Sequence, residues 1–239
     1  MKEIETLYHY LKASQRTIVV TGAGISNSSG IKDMERMDTL EILQTTFEPL
    51  VLLHPNRSYR LLHKHFLEPM LEQGPSLTHQ VLAELEQAGM VQGIITTNID
   101  HLHSLAGSKQ VAEIQGSYAL NRCAKCQTIY RGLEVWQRGS YPRCANCGGL
   151  VLAFPVYSHV GLEEEAYQQA CDWVATADLL LIIGSKGNYG SYLAYRPQTS
   201  PILQINPQAT QFDDLATLTI RRDSDDVFAA LQGLRKPDQ

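Results

Sequence analysis

Four of the five cysteines stand in two C-x-x-C pairs, a spacing at which cysteines bind metal. The pairs are Cys123/Cys126 and Cys144/Cys147, and 17 residues separate them. Four thiolates in this pattern hold one tetrahedral zinc ion in a ribbon, and because they fill every coordination position the zinc would be structural. Four unrelated thiols or a redox pair are the alternative interpretations.

Two glycine-containing turns are suited to binding phosphate. Gly22-Ala23-Gly24 follows a β-branched run, and Gly184-Ser185 follows a continuous apolar run. Backbone N–H groups at the ends of parallel strands bind phosphates, so two such turns can bracket one pyrophosphate. The first turn lacks the third glycine of the dinucleotide fingerprint, so a tight strand-to-helix turn remains the alternative.

A third polar strand end contains Asn98 and Asp100. In an extended chain, residues two positions apart lie on one face, so this amide and carboxylate can together orient a ribose and a carboxamide. Taken alone, the pair is explained more simply as two turn formers that end a strand.

The elements that must position these residues alternate between strands and helices. A helical segment at residues 34–73 and the cysteine segment at 119–149 interrupt the alternation. The order predicts an α/β fold with a doubly wound parallel sheet that carries a second lobe. Hydrophobic pattern and turn residues predict strands near 18–20, 91–96, 179–183 and 201–206, and helices from a cap near Thr78, at 163–177 and at 224–234.

Composition excludes several classes of function. The chain has 239 residues, 44% of them hydrophobic and 19% charged, which is ordinary for a globular protein. Its formal net charge of −5 gives no reason to expect nucleic acid or an anionic membrane as a partner. No apolar run approaches the roughly 20 residues that cross a bilayer, and the acidic, helical N-terminus is unlike a secretory signal. We therefore expect a cytoplasmic protein, where paired cysteines indicate zinc rather than disulfides.

Together these residues resemble the sirtuins, the NAD-dependent protein deacylases. The matching stretches are GAGIS, SSGI with Asp33, TTNIDHLH, the QG before the first C-x-x-C, the two cysteine pairs, IIGS and QIN. The resemblance implies that NAD is a co-substrate and lies between two lobes. It also implies a Rossmann-like NAD-binding domain over residues 1–33, 76–118 and 150–239, a helical module over 34–75 and a zinc ribbon over 119–149.

Carried over position by position, the resemblance implies which residues bind NAD and which act on it. Asn98, Asp100 and Gln115 would organise the nicotinamide ribose and amide as the catalytic residues. The other residues implied near the nicotinamide end are Ser26, Asp33 and Thr97. Those implied at the phosphates and the adenosine are Gly22, Ala23, Gly24, Gly184, Ser185, Asn206, Ser224 and Asp225.

The departures from the family pattern concentrate at the reacting end of NAD and at the acyl-lysine site. Sirtuin deacylases carry His-Gly where this chain has Gln115-Gly116. They carry Pro-Asp-Phe-Arg in place of residues 32–35, and glutamine in place of Thr97. A Phe-Gly-Glu type segment is replaced by Val-Tyr-Ser-His at residues 156–159. The pattern indicates retained NAD binding with altered chemistry.

Gln115 determines which chemistry we expect. The resemblance implies that deacylation needs a proton acceptor at this position, and an amide cannot accept a proton there. The leading prediction is therefore an enzyme that transfers ADP-ribose from NAD to an acceptor protein. TTNIDH and QGSY resemble the microbial, macrodomain-linked class M sirtuins, whereas GAGIS is closer to ordinary sirtuins. The alternatives are a deacylase with another base, supplied by His101, His103 or His159, and a non-catalytic NAD or ADP-ribose sensor.

Overall fold

The structure is a computed structural model that describes residues 2–29, 38–137, 141–159, 161–188 and 190–235. Asp33 and the neighbouring departures at residues 32–35 lie outside the described residues, so their predicted roles near the nicotinamide stay predictions. Among the described helices, none combines the length and apolar character needed to cross a membrane.

Strands and helices occur in the alternating order that the sequence predicts. The strands are β1 Thr17–Thr21, β2 Gly93–Thr96, β3 Val111–Glu113, β4 Leu120–Cys123, β5 Ile129–Arg131, β6 Val151–Ala153, β7 Leu179–Ile183, β8 Ile202–Ile205 and β9 Leu218–Ile220. The helices are α1 Lys2–Ala13, α2 Thr39–Thr46, α3 Glu48–Leu53, α4 Pro55–Leu62, α5 Glu68–Gln73, α6 Leu77–Gln87, α7 Leu102–Leu105, α8 Phe154–Tyr157, α9 Glu164–Ala175 and α10 Ser224–Arg235.

The main sheet is parallel and doubly wound, as predicted. Its six strands lie in the order β3-β2-β1-β7-β8-β9. The two central strands, β1 and β7, are buried at every position because helices cover both faces. Strand order reverses between them, and ligands of such sheets bind at the carboxyl ends beside the reversal. All the turns singled out in the sequence follow strands of this sheet.

A smaller antiparallel sheet, in the order β5-β4-β6, shares one hydrophobic core with the helices between β1 and β2. Tyr59 of α4 donates its hydroxyl hydrogen bond to the carbonyl of Val151 in β6. Phe66 packs against Tyr118, and the Trp136 indole donates to the Tyr118 carbonyl at 2.7 Å. The helical insertion and the cysteine segment therefore form one packed lobe. The domain limits given above remain a prediction.

Two strands and one helix start differ from the sequence prediction. Strands β3 and β9 were not predicted, because each is three residues long and contains a polar residue instead of a continuous apolar run. The cap of helix α6, predicted near Thr78, lies two residues earlier, and the helix begins at Leu77. Ser76 is its N-cap, and the side chain of His79 completes the cap through the Ser76 N–H.

A buried pair of histidines supports the end of β1. The His103 ring bonds the Thr21 hydroxyl at 2.9 Å, and its centroid lies 4.6 Å from that of His79. Burial lowers the pKa of His79 to about 4, partly offset by Asp225. Burial and the neighbouring His79 lower the pKa of His103 well below its ordinary value. Both rings are therefore neutral in the folded protein at neutral pH.

We predict that the free energy of unfolding decreases as the pH is lowered below about 6.5, which is the histidine pKa in the unfolded chain. Because the folded-state pKa values are depressed, only the unfolded chain takes up these protons between pH 6.5 and about 4. Each histidine then removes up to about 1.4 kcal/mol of unfolding free energy per pH unit. Urea unfolding at several pH values measures the slope. His79→Gln should flatten it, while the exposed His9→Gln should not; equal slopes in all three proteins would contradict the prediction.

Candidate functional site

The turns that follow β1 and β7 pack backbone against backbone. The Gly22 N–H donates to the Ile183 carbonyl at 3.1 Å, and the Gly24 N–H donates to the Gly184 carbonyl at 3.0 Å. A Cβ on Gly24 would lie 2.8 Å from the Gly184 Cα, and one on Gly22 would lie 2.8 Å from the Ser185 Cα. A side chain at either glycine would therefore collide with the opposite turn, and it would also hinder the close approach of a phosphate to the backbone.

Asn98 and Asp100 are joined by a shared hydroxyl. Ser26 donates its hydroxyl to Asp100 at 2.7 Å and accepts from the Asn98 amide at 3.1 Å. The other Asp100 oxygen accepts the Leu102 N–H at 3.0 Å. Burial raises the pKa of Asp100, although these two hydrogen bonds oppose the shift. The structure thus brings the three residues together in one buried polar cluster.

Thr97 connects this cluster to β1. Its N–H donates to the Thr21 carbonyl at 3.2 Å, which continues the pairing of β2 with β1 by one residue. Asn98 then turns its amide toward the Gly22 carbonyl at 3.2 Å. The end of β2 is therefore held directly against the first glycine turn.

Gln115 lies two residues beyond β3, at the neighbouring carboxyl edge. It is 6% exposed, and its amide makes no hydrogen bond within the described part of the chain. Its strand remains paired to β2 up to that point, since the Ile114 N–H donates to the Thr96 carbonyl at 3.0 Å. Among the described residues, the amide of Gln115 thus has no hydrogen-bond partner.

A glycine corner fixes the direction of the chain after Gln115. Gly116 has a φ of 59°, and a Cβ there would overlap the ring of Phe154. Phe154 is the first residue of α8, and Val156 of the same helix is buried in the core of the smaller lobe. The turn at Gln115 and Gly116 therefore packs directly against α8, whose last residues belong to the segment 156–159 that departs from the family pattern.

The far side of the edge contains the residues predicted to bind adenosine. The Asn206 amide donates to the Ser185 carbonyl at 3.3 Å, and the Ser185 hydroxyl accepts the Gly187 N–H at 3.1 Å. Ala23 is exposed on the rim of the first glycine turn. Ser185 and Asn206 are 5% and 8% exposed, so both are buried just beyond the carboxyl ends of β7 and β8.

Asp225 makes contacts within the protein that the sequence did not indicate. Its carboxylate accepts from the Thr78 N–H at 2.9 Å and from the Thr78 hydroxyl at 2.5 Å. Asp225 therefore ties α10 to the start of α6. Ser224, the first residue of α10, is 7% exposed beside it. The roles of both residues at the adenine stay predictions.

The four cysteines of the two C-x-x-C pairs converge. Their sulfur atoms all lie within 4.8 Å of one another, and no other group of His, Cys, Asp and Glu in the described ranges is arranged to hold a metal. The Cys123 and Cys147 sulfurs are 3.5 Å apart, as are those of Cys126 and Cys144. Zinc–sulfur bonds of about 2.3 Å place tetrahedral sulfurs about 3.8 Å apart, so the four thiols fit one zinc ion.

The chain around the thiols supports the same assignment. The Cys126 N–H points to the Cys123 sulfur at 3.5 Å, as in a metal-binding knuckle. The Tyr130 hydroxyl donates to the Cys144 sulfur at 3.1 Å, and this hydrogen bond lowers the pKa of that thiol to about 6. A Cβ on Gly149 would lie 2.9 Å from the Cys123 sulfur, so glycine is required there. When bound, zinc would cross-link the ribbon, with no open position for chemistry.

A doubly wound sheet, paired glycine turns at its reversal and a four-cysteine site define an α/β protein of the nucleotide-binding class. Comparison with known proteins gives the family. The model of the Sir2 family matches residues 22–189. This chain therefore belongs to the Sir2, or sirtuin, family, whose members use NAD as co-substrate.

Curated relatives match over nearly the whole length. The chain is 33% identical to an NAD-dependent protein deacetylase of Thermotoga maritima, with 93% of each chain covered. It is 30% identical to an NAD-dependent protein deacylase of Aeropyrum pernix, with 88% of this chain and 89% of the relative covered. These relatives confirm the family predicted from the sequence, and their names refer to deacylation rather than to ADP-ribose transfer.

Solved structures confirm the predicted fold. A Sir2 protein in complex with a p53 peptide and NAD superposes with a TM-score of 0.78 at 29% identity, covering 98% of both chains. A complex of a Sir2 homologue with NAD gives a TM-score of 0.82 at 25% identity, covering 98% of this chain and 95% of the other.

We predict that removal of zinc loosens the smaller lobe, because its thiolate ligands couple metal binding to folding. Cys144→Ser should lower the thermal midpoint and the NAD-consuming activity together. Cys171→Ser, at a cysteine outside the cluster, is the matched control and should leave the zinc content at one ion per chain. Calorimetry and metal analysis measure both effects, and full thermal stability after chelation would contradict the prediction.

We predict that Gly116→Ala destabilises the protein and displaces Gln115. Alanine at a positive φ costs about 1–2 kcal/mol, and overlap with Phe154 adds about 1–3 kcal/mol. Gly89→Ala is the matched control, because Gly89 has a φ of 71° and open space around its missing Cβ. Denaturant unfolding should show the larger loss for Gly116→Ala; equal losses would mean that Phe154 does not constrain the corner.

Proposed function

We propose that this protein is a sirtuin-type transferase that consumes NAD and mono-ADP-ribosylates an acceptor protein. The observation that carries the proposal is Gln115, an amide at the corner where sirtuin deacylases have histidine. Breaking the nicotinamide–ribose bond depends mainly on positioning and electrostatics, which an amide supports. Deacylation also needs a base for a ribose hydroxyl, and Gln115 cannot be that base.

Two of the three nearby histidines are poorly suited to replace the missing base. His103 is 1% exposed and its ring is engaged by Thr21 and His79. His159 is exposed and stacks on Phe47, with ring centroids 5.5 Å apart. A general base must come within hydrogen-bonding reach of its proton, so neither geometry favours deacylation. The third histidine, His101, is considered separately below.

The proposed roles follow the geometry of the carboxyl edge. Asn98 and Asp100 orient the nicotinamide ribose and amide through the cluster with Ser26, and Gln115 hydrogen-bonds the ribose hydroxyls. Thr97 is proposed on the nicotinamide side, and Asp33, which lies outside the described residues, is proposed there on the family resemblance alone. The residues proposed at the phosphates and the adenosine are Gly22, Ala23, Gly24, Gly184, Ser185, Asn206, Ser224 and Asp225.

Within the family, the chain combines features of two groups. TTNIDH and QGSY resemble the macrodomain-linked class M sirtuins, which supports transfer of ADP-ribose. GAGIS is closer to ordinary sirtuins. The residues nearest to the reacting end of NAD support chemistry like that of class M, and the place of the chain within the family stays open between the two groups.

A protein-lysine deacylase is the second candidate. Curated relatives at 33% and 34% identity are named NAD-dependent protein deacetylases and match at least 87% of their own length. Solved relatives hold acetylated or propionylated peptides, which supports a protein substrate for either activity. Deacylation by this chain would require a base other than Gln115.

One experiment separates the candidates. The purified chain is incubated with biotin-labelled NAD and a lysate, and in parallel with NAD and an acetyl-lysine peptide. Label on protein supports transfer of ADP-ribose, whereas release of O-acetyl-ADP-ribose supports deacylation. NAD binding without either product would support a sensor and contradict both enzymatic proposals.

We predict that Gln115→His raises deacetylation of the peptide while transfer to protein falls or stays level. Histidine restores a proton acceptor, but the gain is partial because residues 156–159 also differ from the deacylase pattern. Gln115→Ala should reduce transfer by about 10²-fold through lost positioning. If the native protein deacetylates briskly and Gln115→Ala leaves that rate unchanged, Gln115 is not the determinant and the transferase assignment is wrong.

A further inference from the structure

His101 and Glu113 form a side-chain pair beside the polar cluster of Ser26, Asn98 and Asp100. The His101 Nδ1 lies 2.8 Å from a Glu113 carboxylate oxygen. A carboxylate only accepts hydrogen bonds, so Nδ1 carries the proton and Nε2 carries the free lone pair. Nε2 makes no hydrogen bond within the described part of the chain and is not among its fully buried atoms.

The pair borders the residues proposed to hold the nicotinamide ribose. His101 directly follows Asp100, whose carboxylate bonds Ser26. Glu113 is the last residue of β3, and its carbonyl accepts the Gly116 N–H at 2.8 Å, which closes the turn that carries Gln115. One member of the pair is thus adjacent in sequence to the Asp100 cluster, and the other begins the turn that contains Gln115.

The backbone at His101 is held in an uncommon conformation. Its φ is 61°, in the left-handed region that non-glycine residues rarely adopt. Such residues persist only where surrounding contacts hold them, and they cluster at functional sites. The side chains of His101 and Glu113 are 23% and 18% exposed, so the ring is held by its carboxylate yet remains open on one side.

We infer that the His101–Glu113 pair accepts the proton of the nucleophile that attacks the nicotinamide ribose. This inference rests on the proposed function. An acceptor side chain X–H attacks C1′, the bond from C1′ to nicotinamide breaks, and nicotinamide leaves with the electron pair. The proton of X–H passes to Nε2 of His101, where the Glu113 carboxylate stabilises the imidazolium, and then to water. The products are ADP-ribosyl protein, nicotinamide and one proton.

The charges around the ring favour this role. Those that face it are Glu113 on β3, Asp100 in its own turn and Glu134 in the 3₁₀ turn Glu134–Gln137. Burial lowers the pKa of His101, but these carboxylates together raise it above the ordinary value. The pair is therefore a somewhat stronger base than a solvated histidine.

Three variants test the inference in the full-length chain. His101→Asn removes the base while asparagine tolerates the left-handed backbone, and Glu113→Gln keeps an acceptor but removes its charge. His101→Gly leaves space for added imidazole. His9→Asn, at an exposed histidine of α1, is the matched control. Each reaction with biotin-labelled NAD, lysate and acetyl-lysine peptide is analysed for labelled protein, free ADP-ribose and O-acetyl-ADP-ribose.

His101→Asn should reduce transfer by about 10²- to 10⁴-fold, the usual effect of losing a general base, while calorimetry shows unchanged NAD affinity. Wild-type transfer should fall at acidic pH as His101 protonates. His101→Asn should lack this fall, and in Glu113→Gln it should move to lower pH because the carboxylate no longer raises the pKa of the ring. Imidazole should restore transfer to His101→Gly, and His9→Asn should behave as wild type.

If His101→Asn transfers ADP-ribose to protein at the wild-type rate, the inference is overturned. A slow His101→Asn protein with the wild-type pH profile, together with no imidazole rescue of His101→Gly, also overturns it and makes the pair a structural support of the turn. If the wild-type protein yields no labelled protein, the proposed function is contradicted. The role of the His101–Glu113 pair is then tested on the formation of free ADP-ribose and O-acetyl-ADP-ribose, with the same variants, pH profiles and imidazole rescue. A wild-type protein that yields none of the three products overturns both.

Discussion

The contact between the two glycine turns at the reversal of strand order is the constraint on which the site depends. Backbone donors of Gly22 and Gly24 meet the end of β7 at 3.0–3.1 Å, a separation that no side chain would permit. That contact fixes β1 against β7, and the parallel register then fixes the end of β2 and, through it, the end of β3. The frame of the carboxyl edge is thus set by main-chain contacts, and the Asn98 amide and the His103 ring add side-chain contacts to Gly22 and Thr21.

Beside the first glycine turn, buried polar side chains form hydrogen bonds with one another. The Asn98 amide, the Ser26 hydroxyl and the Asp100 carboxylate form a chain of hydrogen bonds, and the Leu102 N–H closes it. In a low-dielectric site such a network is rigid when complete, because each unpaired member would cost the desolvation of a polar group. Gln115 stands apart with its amide unpaired to the described residues. The fixed network and an amide that is unpaired among the described residues are what the proposed function uses to orient a ribose without a base at Gln115.

Most of the sheet could be predicted from the sequence, because the continuous apolar runs of β1 and β7 and the glycines after them are local signals. The four-cysteine cluster was equally accessible, since its spacing alone implies tetrahedral binding. Strands β3 and β9 were missed because a three-residue edge strand has no periodicity to detect. The pairing of His101 with Glu113, the contact of Gly116 with Phe154 and the contact of Asp225 with Thr78 were also missed. Each joins residues that lie far apart in sequence or in different elements, and only the folded chain brings them together.

The shared core of the smaller lobe has a consequence for how the chain folds. Tyr59 bonds the carbonyl of Val151, 92 positions later, and the helices between β1 and β2 have no separate core. Such contacts cannot form until the cysteine segment has been synthesised. Until then, the apolar faces of the helices between β1 and β2 remain uncovered. Because the cysteine segment is synthesised after the helices, it completes their packing only late in synthesis. During that interval the leucines of α4 and its neighbours that are later buried in this core are uncovered in the nascent chain.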